Sequence, residues 1–125
     1  MGNVTKIQSF TDLTSWKEGH ALVLNIYHVT SKFPNHQTYS LTNQMQRASV
    51  SITSNIAEGF SRRTRKDKVQ FYYMALGSTT EIQNQLVIAR DLGYLKNELF
   101  QSIAQQTILV HKLVNGLIKS ATSHA

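Results

Sequence analysis

The chain has 125 residues, which suits one domain that buries roughly two-thirds of the surface its unfolded chain exposes. It contains no cysteine, so disulfides, thiolate metal sites and thiol catalysis are excluded. Thirteen Lys and Arg oppose seven Asp and Glu, and the net charge of +6 favours polyanionic partners. The sequence offers neither a membrane-spanning apolar stretch nor the apolar centre of a secretion signal, so we expect a cytoplasmic protein with no membrane partner.

The chain opens with a segment of little periodicity, residues 1–12, which we expect to form an N-terminal arm. Thr11 or Asp12 is available to cap the first helix, predicted at about 13–33. Two adjacent apolar stripes repeat there with helical spacing. One consists of Leu13, Trp16, His20, Val23, Tyr27 and Thr30, and the other of Leu22, Ile26, Val29 and Phe33. Pro34 ends this helix because proline lacks the backbone donor and disfavours helical geometry at its predecessor.

The second helix is predicted at about 41–61, with Ser40 as its N-cap. Its core stripe recurs at three- and four-residue steps. The stripe comprises Leu41, Met45, Ala48, Ile52, Ile56 and Gly59.

Two further helices complete the predicted fold. The third starts after Thr64, whose spacing to Asp67 resembles a capping box, and it ends near Leu92 because Gly93 is a natural left-handed stop. The fourth, about 98–120, follows Asn97 as N-cap. Its inward positions are Leu99, Ile103, Thr107, Val110, Val114 and Leu117. We therefore predict an all-α, antiparallel up-and-down four-helix bundle over residues 13–120, with a frayed C-terminus at 121–125.

Polar residues of the second helix form a seam beside its core stripe. The polar seam consists of Arg47, Ser51, Asn55, Glu58 and Arg62. Glu58 and Arg62 have the spacing of a helical ion pair, and Asn55 could bridge to a neighbouring helix. The seam is interpreted as a hydrogen-bond network that sets helix register, and contact with a ligand is the alternative.

The second and third helices also carry more apolar residues than one core face needs. This surplus predicts self-association, although broad core faces are the usual explanation of such rows. The predicted oligomer interface consists of Val50, Thr53, Ala57, Phe60, Phe71, Ala75 and Ile82.

A short basic stretch joins the second helix to the third. It contains Arg62, Arg63, Arg65, Lys66 and Lys68, with only Asp67 opposing them. Arginine forks match phosphate oxygens and a helix start favours anions, so we predict nucleic-acid binding here. Tyr72 and Tyr73 could stack on unpaired bases. A solvated loop that serves only solubility is the alternative.

Residue patterns typical of catalysis and metal binding are missing. No two of the five histidines stand four residues apart, and no glutamate begins a Glu-x-x-His motif. Glycine-rich phosphate loops and nucleophile elbows are missing too. We therefore predict no catalytic residue, no cofactor and no metal, and no enzymatic activity.

Several segments resemble the four-helix-bundle family encoded in bacterial 23S rRNA intervening sequences. The most specific is the motif Ser-Ile-x-x-Asn-Ile-Ala-Glu-Gly at residues 51–59, within the matching stretch 47–62. Leu76-Gly77-Ser78 and residues 91–95 add to the resemblance. Phe33-Pro34 and the pattern Tyr39-x-Leu41-Thr42 are also similar to this family.

The resemblance implies an antiparallel bundle that assembles into a ring of five, similar to the accessory proteins of diversity-generating retroelements. It also implies binding of nucleic acid and of a reverse transcriptase through a basic surface, and it brings no catalytic residues. Our leading hypothesis is a non-catalytic homopentamer that binds nucleic acid, preferably RNA, through the basic stretch. The alternative is a scaffold or adaptor that recruits a protein partner.

Overall fold

A computed structural model describes residues 6–123, which form four long helices joined by short connections. The helices are α1 (Thr14–Thr30), α2 (Asn43–Ser61), α3 (Arg65–Asp91) and α4 (Asn97–Ser123). α1 packs against α2 and α4, and α3 packs against the same two helices from the other side. Connections of three residues between α2 and α3, and of five between α3 and α4, make these neighbours antiparallel. The predicted all-α four-helix bundle is confirmed.

The helix stripes meet in one core, and α2 supplies it as the sequence predicts. All six members of the predicted stripe are buried: Leu41, just before the helix, and Met45, Ala48, Ile52, Ile56 and Gly59 on α2. α4 follows its predicted pattern in the middle but not at its ends. Leu99 is 43% exposed, and Ile118 instead of Leu117 takes the last inward position.

Only one of the two stripes predicted for α1 lies wholly in the core: Leu22, Ile26, Val29 and Phe33. In the other stripe Thr30 is buried and Leu13 and Trp16 pack against the core, but His20 and Tyr27 are exposed. The contact with α2 is close at Gly19, where an added Cβ would lie 3.1 Å from Thr53 Cγ2. The core therefore receives a narrower arc of this helix than the sequence suggests.

The connection between α1 and α2 is more structured than predicted. α1 ends at Thr30, three residues before the expected boundary. The buried hydroxyl of Thr30 donates to the Ile26 carbonyl at 2.7 Å. A 3-10 turn (Asn35–Gln37) and a π-helical turn (Thr38–Thr42) then lead into α2. Ser40 is not the N-cap of α2; that position is Thr42, whose side chain makes no capping bond. Gln37 instead caps the π-helical turn, where its Oε1 accepts from the Leu41 amide at 3.4 Å.

The helix ends of α3 agree with the sequence. Thr64 Oγ1 accepts from the Asp67 amide at 3.2 Å, and Gly93 has a φ of +82° just past the last turn. That left-handed residue lets the Tyr94 amide turn back to the Ala89 carbonyl at 2.9 Å. Thr64 and Gly93 thus mark the beginning and the end of α3 as predicted.

The two chain ends differ from the expected arm and frayed tail. Phe10–Asp12 form a 3-10 turn capped by Ser9, so neither Thr11 nor Asp12 is the N-cap of α1; that position is Leu13. Two backbone donors, the Gln8 and Ser9 amides at 2.9 and 3.0 Å, lower the pKa of the Asp12 carboxyl. α4 continues to Ser123, so most of the predicted tail is helical. Residues 1–5 of the arm and 124–125 of the tail lie outside the described residues.

Gly59 leaves no room for a side chain where α2 faces α3. A Cβ added there would lie 2.5 Å from Tyr72 Cε1 and 3.2 Å from the Lys68 carbonyl oxygen. We expect Gly59→Ala to lower the free energy of unfolding by about 1–3 kcal/mol, because the buried ring must shift. Urea unfolding measures this. Gly77→Ala is the matched control: it has no atom within 4 Å of its added Cβ, and we expect a gain of about 0.5–1 kcal/mol. An unchanged midpoint for Gly59→Ala would contradict the close packing.

Burial raises the pKa of the Tyr72 phenol above its ordinary value of about 10. Above that pH the unfolded chain releases this proton more readily than the folded chain. The free energy of unfolding therefore falls as pH rises from about 10 to the folded pKa. We expect Tyr72→Phe to weaken this alkaline loss, as followed by urea unfolding from about pH 8 to about pH 11. Tyr73→Phe is the control, since that ring is 58% exposed. An equal loss in wild type and Tyr72→Phe would contradict the prediction.

Candidate functional site

The five basic residues predicted to bind nucleic acid come together at one end of the bundle. They occupy the three-residue connection Arg62–Thr64 and the first turn of α3. Arg63, Arg65 and Lys66 are exposed, and none of them forms an ion pair with any residue between 6 and 123. These three side chains are available for an external anion.

Arg62 is already engaged within the chain. Its Nη2 lies 3.1 Å from Glu58 Oε2, and its Cζ lies 4.7 Å from the centroid of the Phe71 ring. Both partners of the ion pair are about half exposed, so the pair contributes at most about 1 kcal/mol. Arg62 therefore contributes less free positive charge than the sequence suggests.

Lys68 closes the end of α2. Its ammonium donates to the Phe60 carbonyl at 2.7 Å and to the Gly59 carbonyl at 3.3 Å, and it lies 5.5 Å from the Phe60 ring centroid. A cation at the C-terminus of a helix satisfies unpaired carbonyls and complements the helix dipole. The sequence pattern does not indicate this role, because the connection between α2 and α3 separates Lys68 from the carbonyls that it binds.

The two tyrosines that follow the basic stretch have different surroundings. Tyr72 is only 4% exposed and packs against Gly59, so the prediction that it stacks on bases is wrong. Tyr73 is 58% exposed on the neighbouring face of α3. Only Tyr73 can offer a free ring.

An apolar groove of about 470 Å³ opens beside the basic residues. Phe60, Leu13 and Leu117 are among its walls, and Arg63, Arg65 and Lys68 also line it. The groove combines the end of α4 with the start of α1, which are distant in sequence. Nothing in the local sequence pattern of the basic stretch indicates it.

The polar seam divides into an inner and an outer part. Ser51 Oγ and Ser78 Oγ lie 2.8 Å apart and connect α2 to α3, while Asn55 Nδ2 donates to the Ser51 carbonyl at 2.8 Å and its hydroxyl at 3.1 Å. Ser51 therefore makes the interhelical bond that was expected of Asn55. Arg47 is exposed and, within the described part of the chain, has no side-chain partner.

The predicted oligomer interface is wrong for two of its members. Ala75 and Ile82 are 0% exposed because they face α2 and α4 inside the chain's own core. Thr53, Ala57, Phe60 and Phe71 are half-buried, and Val50 is 39% exposed. Large apolar side chains are more exposed at other positions, namely Leu24 on α1, Met74 on α3 and Ile108 on α4.

Residues 6–123 contain neither a metal-binding cluster nor a membrane-spanning helix. No three His, Asp or Glu side chains in this range are grouped so that they could hold a metal ion. No helix in this range has the length and apolar character needed to span a membrane.

The fold is shared with a solved structure. The chain is similar to a protein of unknown function from the S23 ribosomal protein family of Bacteroides thetaiotaomicron, with a TM-score of 0.78 and 23% sequence identity. The similarity covers 84% of this chain and 95% of that chain. At this identity it shows the fold alone. A search of curated proteins returned no match.

Family membership follows from the sequence itself. Residues 11–116, well over half of the chain, match the family described as 23S rRNA-intervening sequence protein. This match includes the motif at residues 51–59 and confirms the resemblance inferred from it. The chain therefore belongs to the 23S rRNA-intervening sequence protein family.

Proposed function

We propose that this protein is a homo-oligomeric, non-catalytic bundle that binds nucleic acid, preferably RNA, through the connection between α2 and α3. One observation carries the proposal: Arg63, Arg65 and Lys66 are exposed and unpaired in the described structure, next to an apolar groove. The cytoplasmic location expected from the sequence stays a prediction.

The electrostatics of the connection favour phosphate groups. Two arginines offer planar forks of donors, and a lysine adds a point charge beside them. Arg65 is also the first residue of α3, where the positive end of the helix dipole attracts anions. The opposing carboxylate, Asp67, forms no ion pair with these cations.

The neighbouring groove favours unpaired nucleic acid over a duplex. Apolar walls such as Phe60 and Leu117 suit the face of an unstacked base, while phosphates stay at the charged rim. In a duplex those faces are covered by stacking, so the groove would remain unused. Single-stranded or looped RNA is thus the preferred ligand in this proposal.

Self-association is part of the proposal. Exposed apolar side chains on several helices, including Val50, Met74 and Ile108, are the kind of surface that like subunits cover. Several copies of a weak phosphate site on one assembly bind a polyanion more tightly than one copy does. A ring of five is the stoichiometry that the family resemblance implies.

Light scattering tests the assembly directly. We expect a mass of five times the 14.1 kDa of one chain at micromolar concentration. Val50→Asp should lower this mass if the α2 face is the interface, because a buried, unpaired carboxylate is costly. Ile108→Asp makes the matched change on α4 and should lower the mass if the α4 face is the interface. A mass of one chain for the wild type would contradict self-association.

Charge neutralisation tests the nucleic-acid site. We expect the triple variant Arg63→Gln, Arg65→Gln, Lys66→Gln to bind single-stranded RNA at least tenfold more weakly. Its slope of log affinity against log salt should be smaller by about 2, since each lost contact to a single strand removes about 0.7. Fluorescence anisotropy with a labelled RNA at several salt concentrations measures both quantities.

The control has the same loss of charge at other exposed positions. Lys32→Gln and Lys96→Gln lie at the end of the bundle where α3 joins α4, and Lys112→Gln lies on α4. This control should keep most of the affinity and slope. Equal losses in the two triple variants would contradict a localised site, and affinity independent of salt would contradict phosphate contacts.

An adaptor function is the second candidate, because exposed apolar residues such as Met74 and Ile108 also suit a protein partner. The family resemblance implies a reverse transcriptase as one such partner. Binding of a protein through these surfaces should survive the triple variant. Loss of RNA binding in that variant would separate the two functions.

A further inference from the structure

A second groove lies between α2 and α3, far from the basic connection. It has a volume of about 650 Å³, within the usual range of ligand pockets, and its lining includes Arg47, Ser51, Ser78, Glu81, Gln85 and Tyr39. Arg47 precedes Arg62 by fifteen residues of helix, which corresponds to about 22 Å. This polar groove is therefore separate from the site proposed above.

Gln85 lines this groove, and one of its side-chain atoms lacks a hydrogen bond. The residue is 7% exposed, and its buried Oε1 has no hydrogen-bond partner among the described residues. Buried amide oxygens in folded proteins are nearly always paired, and an exception calls for an explanation. Because Gln85 lines the groove, a rotation of its side chain would bring this oxygen to a ligand with an N–H donor, which would supply the missing bond.

The two walls of the polar groove carry opposite charges that are not used in the fold. Arg47 on α2 and Glu81 on α3 are exposed, and neither side chain is bonded to any residue that the structure describes. Arg47 offers a fork of donors, and Glu81 offers two acceptor oxygens. A matching ligand presents paired acceptors on one edge and paired donors on an adjacent edge.

Among the nucleobases, guanine has this arrangement. Its O6 and N7 accept from an arginine fork, and its N1–H and N2 amino group donate to a carboxylate and an amide oxygen. Adenine places a donor, its N6 amino group, beside N7, where it would face the donors of Arg47. We infer that the polar groove binds an unpaired guanine, an inference that rests on the proposed nucleic-acid function.

The rest of the groove fits a base in this orientation. Tyr39 lies at the mouth of the groove on the π-helical turn, is 93% exposed and can stack on the base. Ser51 Oγ already accepts from Asn55 and shares a hydrogen bond with Ser78, so the floor is held in place. Because guanine would use its pairing edge, the groove accepts it only from a single strand or a loop.

A nucleoside titration tests the groove without any phosphate. We expect guanosine to shift the Gln85 side-chain amide signals in the NMR spectrum. Inosine, which lacks the N2 amino group, should bind at least about fivefold more weakly, and adenosine more weakly still. No shift with guanosine, or equal shifts with guanosine and adenosine, would overturn the inference.

A matched pair of variants tests the residues. Glu81→Gln should reduce the preference for guanosine over inosine to about twofold or less, because the carboxylate no longer accepts two donors. Glu98→Gln removes the same charge from an exposed position on α4 and should leave the preference intact. Equal preference in both variants would overturn the assigned role of Glu81.

Failure of the guanine groove can be distinguished from failure of the proposed nucleic-acid site. An RNA that binds with the expected salt dependence while guanosine does not would overturn the guanine groove alone. Guanosine binding in a protein whose RNA affinity ignores salt would overturn the proposed phosphate site alone. A further pair of single-stranded RNAs tests whether the groove binds a guanine within a strand. The two RNAs differ at one position, which is guanine in one and 7-deazaguanine, which lacks N7, in the other. Equal affinities would overturn binding of a guanine in the strand.

Discussion

The close contact of α2 with α3 is the constraint on which the rest of the structure depends. Gly59 admits the Tyr72 ring where a methyl group would lie 2.5 Å from it, and Ser51 bonds to Ser78 further along the same pair of helices. This contact leaves only three residues, Arg62–Thr64, to reverse the chain. The short reversal concentrates the basic residues at one end of the bundle.

The cations in this region fall into two groups, those bonded within the chain and those left exposed. Lys68 completes the end of α2 by binding its last carbonyls, and Arg62 pairs with Glu58 over the Phe71 ring. The remaining cations, Arg63, Arg65 and Lys66, stay exposed and form the site that we propose for nucleic acid. The seam of α2 shows the same division, since Ser51 ties two helices together while Arg47 remains open.

The fold does not itself carry the function. A protein of unknown function with 23% identity has the same bundle, and similar bundles accommodate unrelated activities. In this chain, unpaired polar groups lie at two sites on the α2–α3 pair. One site joins free cations to an apolar groove, and the other joins opposite charges to the unpaired Oε1 of Gln85. Together they suit a flexible strand that offers phosphates and exposed bases.

By itself, the sequence determined the four helices, the core stripe of α2, the Thr64 cap and the Gly93 stop, since each depends on local spacing and backbone conformation. For α1 and α3, tertiary structure alone decided which apolar arcs are buried. Ala75, Ile82 and Tyr72 carry the same local signal as surface residues, and only the crossing of α3 with its neighbours turns them inward. The two grooves likewise combine side chains distant in sequence, such as Arg47 with Gln85 and Phe60 with Leu117. Helical periodicity defines a face, but contact with other helices decides what that face meets.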